Sequence, residues 1–177
     1  MFSNHRVKPI SIICLVLLLS TSARALDEDR KQPIKVKADS AERDDRQEIT
    51  RYTGDVVINQ GSLNIVAQEV TMFGSTSVSK IVATGKPARL RQRPQPDKGV
   101  VTARANQIEY TVASEIVTLQ KNAYVEQDGT EVRGDEITYD MTRQIVRANG
   151  SSETKGRVEI IIPPNENAAA DSQQEAR

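Results

Sequence analysis

From residue 33 onward the chain alternates apolar and polar residues in short runs. Ile34, Val36 and Ala38 enclose Lys35 and Lys37. Leu63, Ile65 and Ala67 repeat the pattern, as do Ile108, Tyr110 and Val112, the pair Val56 and Ile58, and the pair Ala123 and Val125. A period of two directs alternate side chains to one face of a strand, and β-branched residues dominate the runs, so the pattern predicts half-buried strands. Gln60-Gly61, Asp128-Gly129 and Asn149-Gly150 supply breaks at hairpin distances. No helical period is sustained after the N-terminal segment, which predicts an all-β fold.

The chain also resembles itself. A shift of 67 residues places Asp55-Val56-Val57-Ile58-Asn59-Gln60 on Asn122-Ala123-Tyr124-Val125-Glu126-Gln127, and a shift of 29 places Asn106-Gln107-Ile108-Glu109-Tyr110 on Asp135-Glu136-Ile137-Thr138-Tyr139. Four copies of one unit emerge, opening near Ala38, Ala67, Ala105 and Gly134. Each runs from a small residue and a polar pair through a strand, a turn and a second strand, often with Gly or Asn before the next strand. Such a unit cannot bury its own apolar face, so stacked units are expected to form two facing sheets, as a repeat solenoid or a jelly-roll sandwich. Residues 91–99, with Pro94 and Pro96, form the longest irregular connection and join the two halves.

The first 25 residues follow another rule. Arg6 and Lys8 precede a nearly unbroken aliphatic run over residues 10–19, and small residues follow, ending in Ala23-Arg24-Ala25. That order marks a cleavable secretory signal, and the apolar run is too short for the roughly 20 residues of a spanning helix. Cleavage after Ala25 leaves 152 of the 177 residues. It removes Arg6, Lys8 and Arg24 but no acid, shifting the net charge from zero to −3. His5 and Cys14, the single residues of their kinds, go with it. An exported chain without His or Cys has no Ser-His-Asp or Cys-His nucleophile system, no ordinary structural zinc site and no disulfide. The charge balance does not favour a nucleic-acid binder. Residues 74–80 have the length of a phosphate loop, but Ser79 stands where its second Gly belongs and Ile81 where Ser or Thr must hold magnesium, so none is expected. Residues 26–32 read as a loose segment, and residues 163–177, which begin Pro163-Pro164 and continue in small polar residues, as a disordered tail.

Five segments together resemble the OstA-like family of lipopolysaccharide transport: Gln32-Pro33-Ile34-Lys35-Val36, Tyr52-Thr53-Gly54-Asp55-Val56-Val57-Ile58-Asn59-Gln60-Gly61, Gly85-Lys86-Pro87-Ala88, Asn122-Ala123-Tyr124-Val125 and Gly134-Asp135-Glu136-Ile137-Thr138-Tyr139. The likeness implies a twisted, open jelly roll of antiparallel strands over residues 33–162, whose interior binds the acyl chains of lipid A. It implies a periplasmic protein with no catalytic residues, cofactor or metal. It also implies head-to-tail joining with further copies, and with inner-membrane anchored and outer-membrane assembly proteins of related fold.

Strand patterning alone reads the apolar faces as packed core; under the likeness they line a trough. The expected lining is Ile34, Val36, Val56, Ile58, Leu63, Ile65, Ile108, Tyr110, Val125, Val132, Ile137 and Tyr139. Few aromatics accompany them, and mid-sized aliphatics suit flexible acyl chains, each buried methylene contributing about 0.8 kcal/mol. Arg89, Arg91 and Arg93, in the basic stretch over residues 86–98, are candidates for lipid A phosphates at the trough rim, against the plainer reading of a solvated loop. Val158, Ile160 and Ile162 define a late β-prone strand that either pairs inside its own domain or offers an edge to a neighbour. Two rival functions remain open: a carboxylate glycosidase or lyase on a β-solenoid, which needs paired acids facing one cleft, and a structural filament that binds no lipid.

Overall fold

The computed structural model describes residue 29 and residues 31–94, 98–151 and 156–164. They form one antiparallel sheet of ten strands: β1 (Lys35–Lys37), β2 (Ser40–Asp44), β3 (Ile49–Gln60), β4 (Leu63–Phe73), β5 (Lys80–Gln92), β6 (Val101–Thr111), β7 (Ile116–Gln127), β8 (Thr130–Asp140), β9 (Ile145–Asn149) and β10 (Glu159–Ile161). Strands β3 to β8 make an uninterrupted meander. Asp128 and Gly129, both at positive φ, close the β7–β8 hairpin in the backbone form that matches strand twist.

Each long strand bends near its middle. Register slips between Thr53 and Val56 on β3, Val66 and Glu69 on β4, Thr84 and Ala88 on β5, Arg104 and Gln107 on β6, and Gln120 and Ala123 on β7. Unmatched residues in one strand bend it and raise its twist. Because the slips lie side by side, they crease the whole sheet into two wings. Wing I holds β2, β9 and residues 49–53, 69–73, 80–84, 107–111, 116–120 and 136–140; wing II holds β1, β10 and residues 56–60, 63–66, 88–92, 101–104, 123–127 and 130–134. Buried residues of both wings belong to one core cluster, so the wings face each other.

The crease accounts for the internal repeat. Ala38 lies between β1 and β2, and Ala67, Ala105 and Gly134 lie on the crease in β4, β6 and β8. One repeat is therefore one lap: out and back through wing I, across the crease, then out and back through wing II. Small residues suit the crease where it is crowded: Ala67 and Ala105 are buried, and a Cβ on Gly134 would come within 2.8 Å of the Asn149 carbonyl oxygen.

Two expectations need correction. The repeats build one creased sheet, not two separate sheets: Gln60-Gly61 and Asp128-Gly129 do close hairpins, but the Gly or Asn that precedes the next strand within a repeat, Gly54 and Asn122, belongs to a bulge inside a continuous strand. Gly54 and Asp55 on β3, and Lys121 and Asn122 on β7, hold positive φ without ending the pairing. Asn149-Gly150 is not a hairpin. It ends β9, after which the chain crosses to β10 on the other half of β8. The signal segment and the tail beyond Pro164 lie outside the described residues. Asp29, in the segment read as loose, accepts a hydrogen bond from the Ser62 amide at 2.9 Å.

Candidate functional site

The inner face follows from register. On wing II, Val36, Ile58, Ile65, Leu90, Ala103, Val125, Val132 and Ile160 stand opposite one another from the first strand to the last. On wing I, Tyr52, Val70, Ala83, Ile108, Leu119, Ile137 and Ala148 make a matching row, and Met72, Ile81, Tyr110, Val117, Tyr139 and Val146 another. All twelve residues expected to line the trough belong to the core or pack against it, Leu63 among the buried ones and Ile34 among the half-buried.

Burial is graded along this face. Val56, Ile58, Ile65, Ile108 and Ile137 are fully shielded in the middle, whereas Val36 at one end and Val132 and Tyr139 at the other are half-buried. The row runs out into solvent at Ile160, which is 58% exposed. At that end the wings part around a cavity of about 360 Å³, lined by Val125, Gln127, Thr130 and Val132 of wing II, by Tyr139, Gln144 and Val146 at wing I, and by Pro94 and Lys98 from the β5–β6 connection. Burial raises the pKa of the Tyr139 phenol, and the neighbouring Asp140 charge adds to the effect.

Strand edges lie open at both ends of the inner face. β1 and β2 share the outer edge of β3, and β9 and β10 share the outer edge of β8; among the described residues none of the four has a second strand partner. Val158 is half-buried, and Ile162 extends the exposed apolar end. The late strand pairs with β8 of its own chain and still presents a free edge.

The basic residues divide. Arg89 and Arg91 alternate with the buried Leu90 and Gln92, so they stand on the outer face of wing II and not at the trough rim. Arg93 lies past the end of β5, its guanidinium donating to the Lys98 carbonyl at 3.3 Å. Leu90, enclosed by three arginines in sequence, was hidden from pattern reading, as were the inner residues Val70, Met72, Ile81 and Leu119. For Ile81 and Leu119 the usable signal was the alternation Ile81, Ala83 and Val117, Leu119.

Glu136, the carboxylate that a hydrolytic site would enlist, is tied into an amide ladder on wing I. Gln107 donates to Gln120 at 3.1 Å, Gln120 to Glu136 at 3.5 Å, and Asn149 to Glu136 at 3.4 Å. No group of His, Cys, Asp and Glu suited to a metal occurs among the described residues.

A creased sheet with an apolar inner face and open terminal edges has known counterparts. Residues 35–145 match the family model described as LptA/(LptD N-terminal domain) LPS transport protein. The chain belongs to this family. The match runs from β1 to the start of β9, leaving β10 beyond it. The lipopolysaccharide export system protein LptH of Pseudomonas aeruginosa is 42% identical over 156 residues, covering 84% of this chain and 89% of that protein. LptA of Haemophilus influenzae is 33% identical, covering 89% and 92%, and LptA of Escherichia coli K12 is 31% identical, covering 85% and 82%. A crystal structure of P. aeruginosa LptH, described as the LptA-homologous periplasmic component of the conserved lipopolysaccharide transport device, superposes with a TM-score of 0.72 at 39% identity, covering 77% of this chain and 99% of that one. The open, antiparallel family fold is thus shared, and these relatives are named as transport proteins.

Proposed function

We propose that this chain is a periplasmic lipopolysaccharide carrier without enzymatic activity. Its trough shelters the acyl chains of lipid A, and its open edges join it head to tail to further copies and to inner-membrane anchored and outer-membrane assembly proteins of related fold. The observation that carries this reading is the inner apolar row, which crosses every strand of wing II and ends at unpaired edges on both sides. Edge-to-edge pairing in one register would continue both the sheet and the row, and a heterologous contact of that kind propagates instead of closing. The relatives named for lipopolysaccharide export support the choice of cargo.

The central side chains already pack one another, so a guest acyl chain must part the wings and replace side-chain contacts with its own. Aliphatic contacts of this kind are interchangeable because the hydrophobic term has no directional demand. Of the candidate phosphate ligands, Arg93 donates to the carbonyl of Lys98 in the β5–β6 connection, and Pro94 and Lys98 of that connection line the cavity where a head group emerging between the wings would pass. Phosphate recognition at the rim is assigned to this pair. A photo-crosslinking residue at Ile65 should capture lipopolysaccharide in cells, and one at outward-facing Lys35 should not. Capture at Lys35 with none at Ile65 overturns the reading.

A further inference from the structure

The outer face of wing II changes charge along its length: β7, β8 and β10 carry Glu126, Glu131 and Glu159, with Arg133 paired to the last two, whereas its segments from β1 to β6 are basic. In wing II the segments 35–37, 56–60, 63–66, 88–92 and 101–104 contain Lys35, Lys37, Arg89, Arg91 and Arg104 and no acid. The crease beside them adds Lys86 and two acids, Asp39 and Asp55. On wing I, the same strands carry Glu42, Asp44, Glu69 and Glu109, and their cations are matched: Arg51 with Glu69 at 3.4 Å, Lys80 with Glu109 at 3.9 Å, Arg43 with Asp45 at 2.6 Å. Among the described residues, Arg89, Arg91 and Arg104 make no ion pair.

Register makes this arrangement costly in isolation. Arg89 is directly opposite Arg104 across the β5–β6 ladder, and like charges in that position destabilise a sheet. Arg104 is also held in place, its guanidinium 3.8 Å from the centre of the Tyr124 ring, with Arg133 over the same ring at 5.7 Å. On the other side Arg89 faces Val66, which is 37% exposed; Val66 faces Val57, and Val57 faces Lys37. The outer row therefore reads cation, two valines, two cations, aromatic.

We propose that the outer face of wing II in β1 to β6 is a docking surface for the phosphate groups of an anionic phospholipid bilayer. The cations lie in two groups, Lys35 and Lys37 on β1 and Arg89, Arg91 and Arg104 on β5 and β6, separated by the uncharged wing II segments of β3 and β4 at about 5 Å per strand, instead of converging on one point as a single small anion would require. A sheet of head groups meets all of them at once. Arginine binds phosphate through two parallel hydrogen bonds, and the exposed Val66 would meet the glycerol backbone.

Co-sedimentation of the full exported chain with vesicles tests this, without lipopolysaccharide in the system, so the outcome is separate from that of the trough. The protein should bind vesicles containing phosphatidylglycerol, ignore pure phosphatidylcholine, and be released by rising salt. Near an anionic surface each cation is worth about fivefold in affinity, so Arg89→Gln/Arg91→Gln/Arg104→Gln should weaken binding roughly a hundredfold. The double variant Arg89→Gln/Arg91→Gln, which leaves the Tyr124 stack intact, should weaken it about 25-fold. Arg51→Gln/Arg147→Gln on wing I changes the net charge equally and should leave binding unchanged. Three results overturn the proposal: equal binding by the double variant and the natural chain, an equal loss in the wing I control, or release by millimolar inorganic phosphate at constant ionic strength.

Discussion

Ile137 and Tyr139 are two positions apart on one strand and face the same interior, yet they differ in what they can lose. Ile137 is fully buried, and Ile137→Ala leaves a void that neighbours on a paired strand fill only in part. A loss of about 2–5 kcal/mol in urea unfolding is expected. Tyr139 stands where the wings part, half-buried beside the cavity. Tyr139→Phe should change stability by less than about 0.5 kcal/mol at neutral pH, since most of its ring contacts survive. Its signature lies at high pH. Burial holds the folded phenol above its ordinary value of 10.0, so the unfolded chain gives up the proton first. The stabilising contribution of Tyr139 is complete below that pH and is lost as pH rises through the folded value. The natural chain should therefore lose stability in alkali more steeply than Tyr139→Phe, measured as the difference between their denaturation midpoints across that range.

At the scale of the strand, the bulges decide the architecture, and Gly54 is the sharpest case. It holds φ of +81°, and an added Cβ would fall 2.1 Å from an Asp39 carboxylate oxygen. Gly54→Ala should cost more than about 1 kcal/mol, whereas Lys121→Gly, at a position already left-handed at φ +63°, should be tolerated or mildly stabilising. Thermal melting of the two variants compares them directly. The same positions mark how far the sequence could be read. Period-two alternation located Ile58, Ile65 and Ile108 on the inner face because a strand has only two faces. Self-similarity found the laps and their small opening residues. Local signals failed at Gly54-Asp55 and Lys121-Asn122, because left-handed residues look alike in a hairpin turn and in a bulge. Only the pairing on both sides tells them apart, and pairing is a long-range property. The outward direction of Arg89 and Arg91 was implicit in the buried Leu90 between them, but the density of positive charge concealed the alternation.

For the molecule as a whole, the two ends of the inner face are chemically unlike. Lys35 and Lys37 flank the single inward residue of β1, and β2 carries Glu42, Arg43 and Asp44. The opposite end gathers nearly all the exposed large apolar residues: Ile145 and Val146 of β9, Ile160 and Ile161 of β10, and Ile162 beyond it, the last 74% exposed. An edge with this composition is a template for another strand, and nothing in β10 blunts it with an inward charge or a proline. A polar edge at one end and an apolar edge at the other give the chain a direction, so the proposed head-to-tail growth would pair unlike ends. Ile160→Lys/Ile162→Lys places two charges on that edge at positions that are mostly solvated in the single chain. The fold should persist, with a melting temperature near that of the natural protein. Sedimentation across a concentration series should then show the natural chain lengthening into oligomers and the variant remaining monomeric. Removing the chain after Gly156 should abolish growth in the same way, since it deletes β10 altogether. Concentration-dependent growth that both changes leave intact would place the contact elsewhere and remove the basis for a continuous trough.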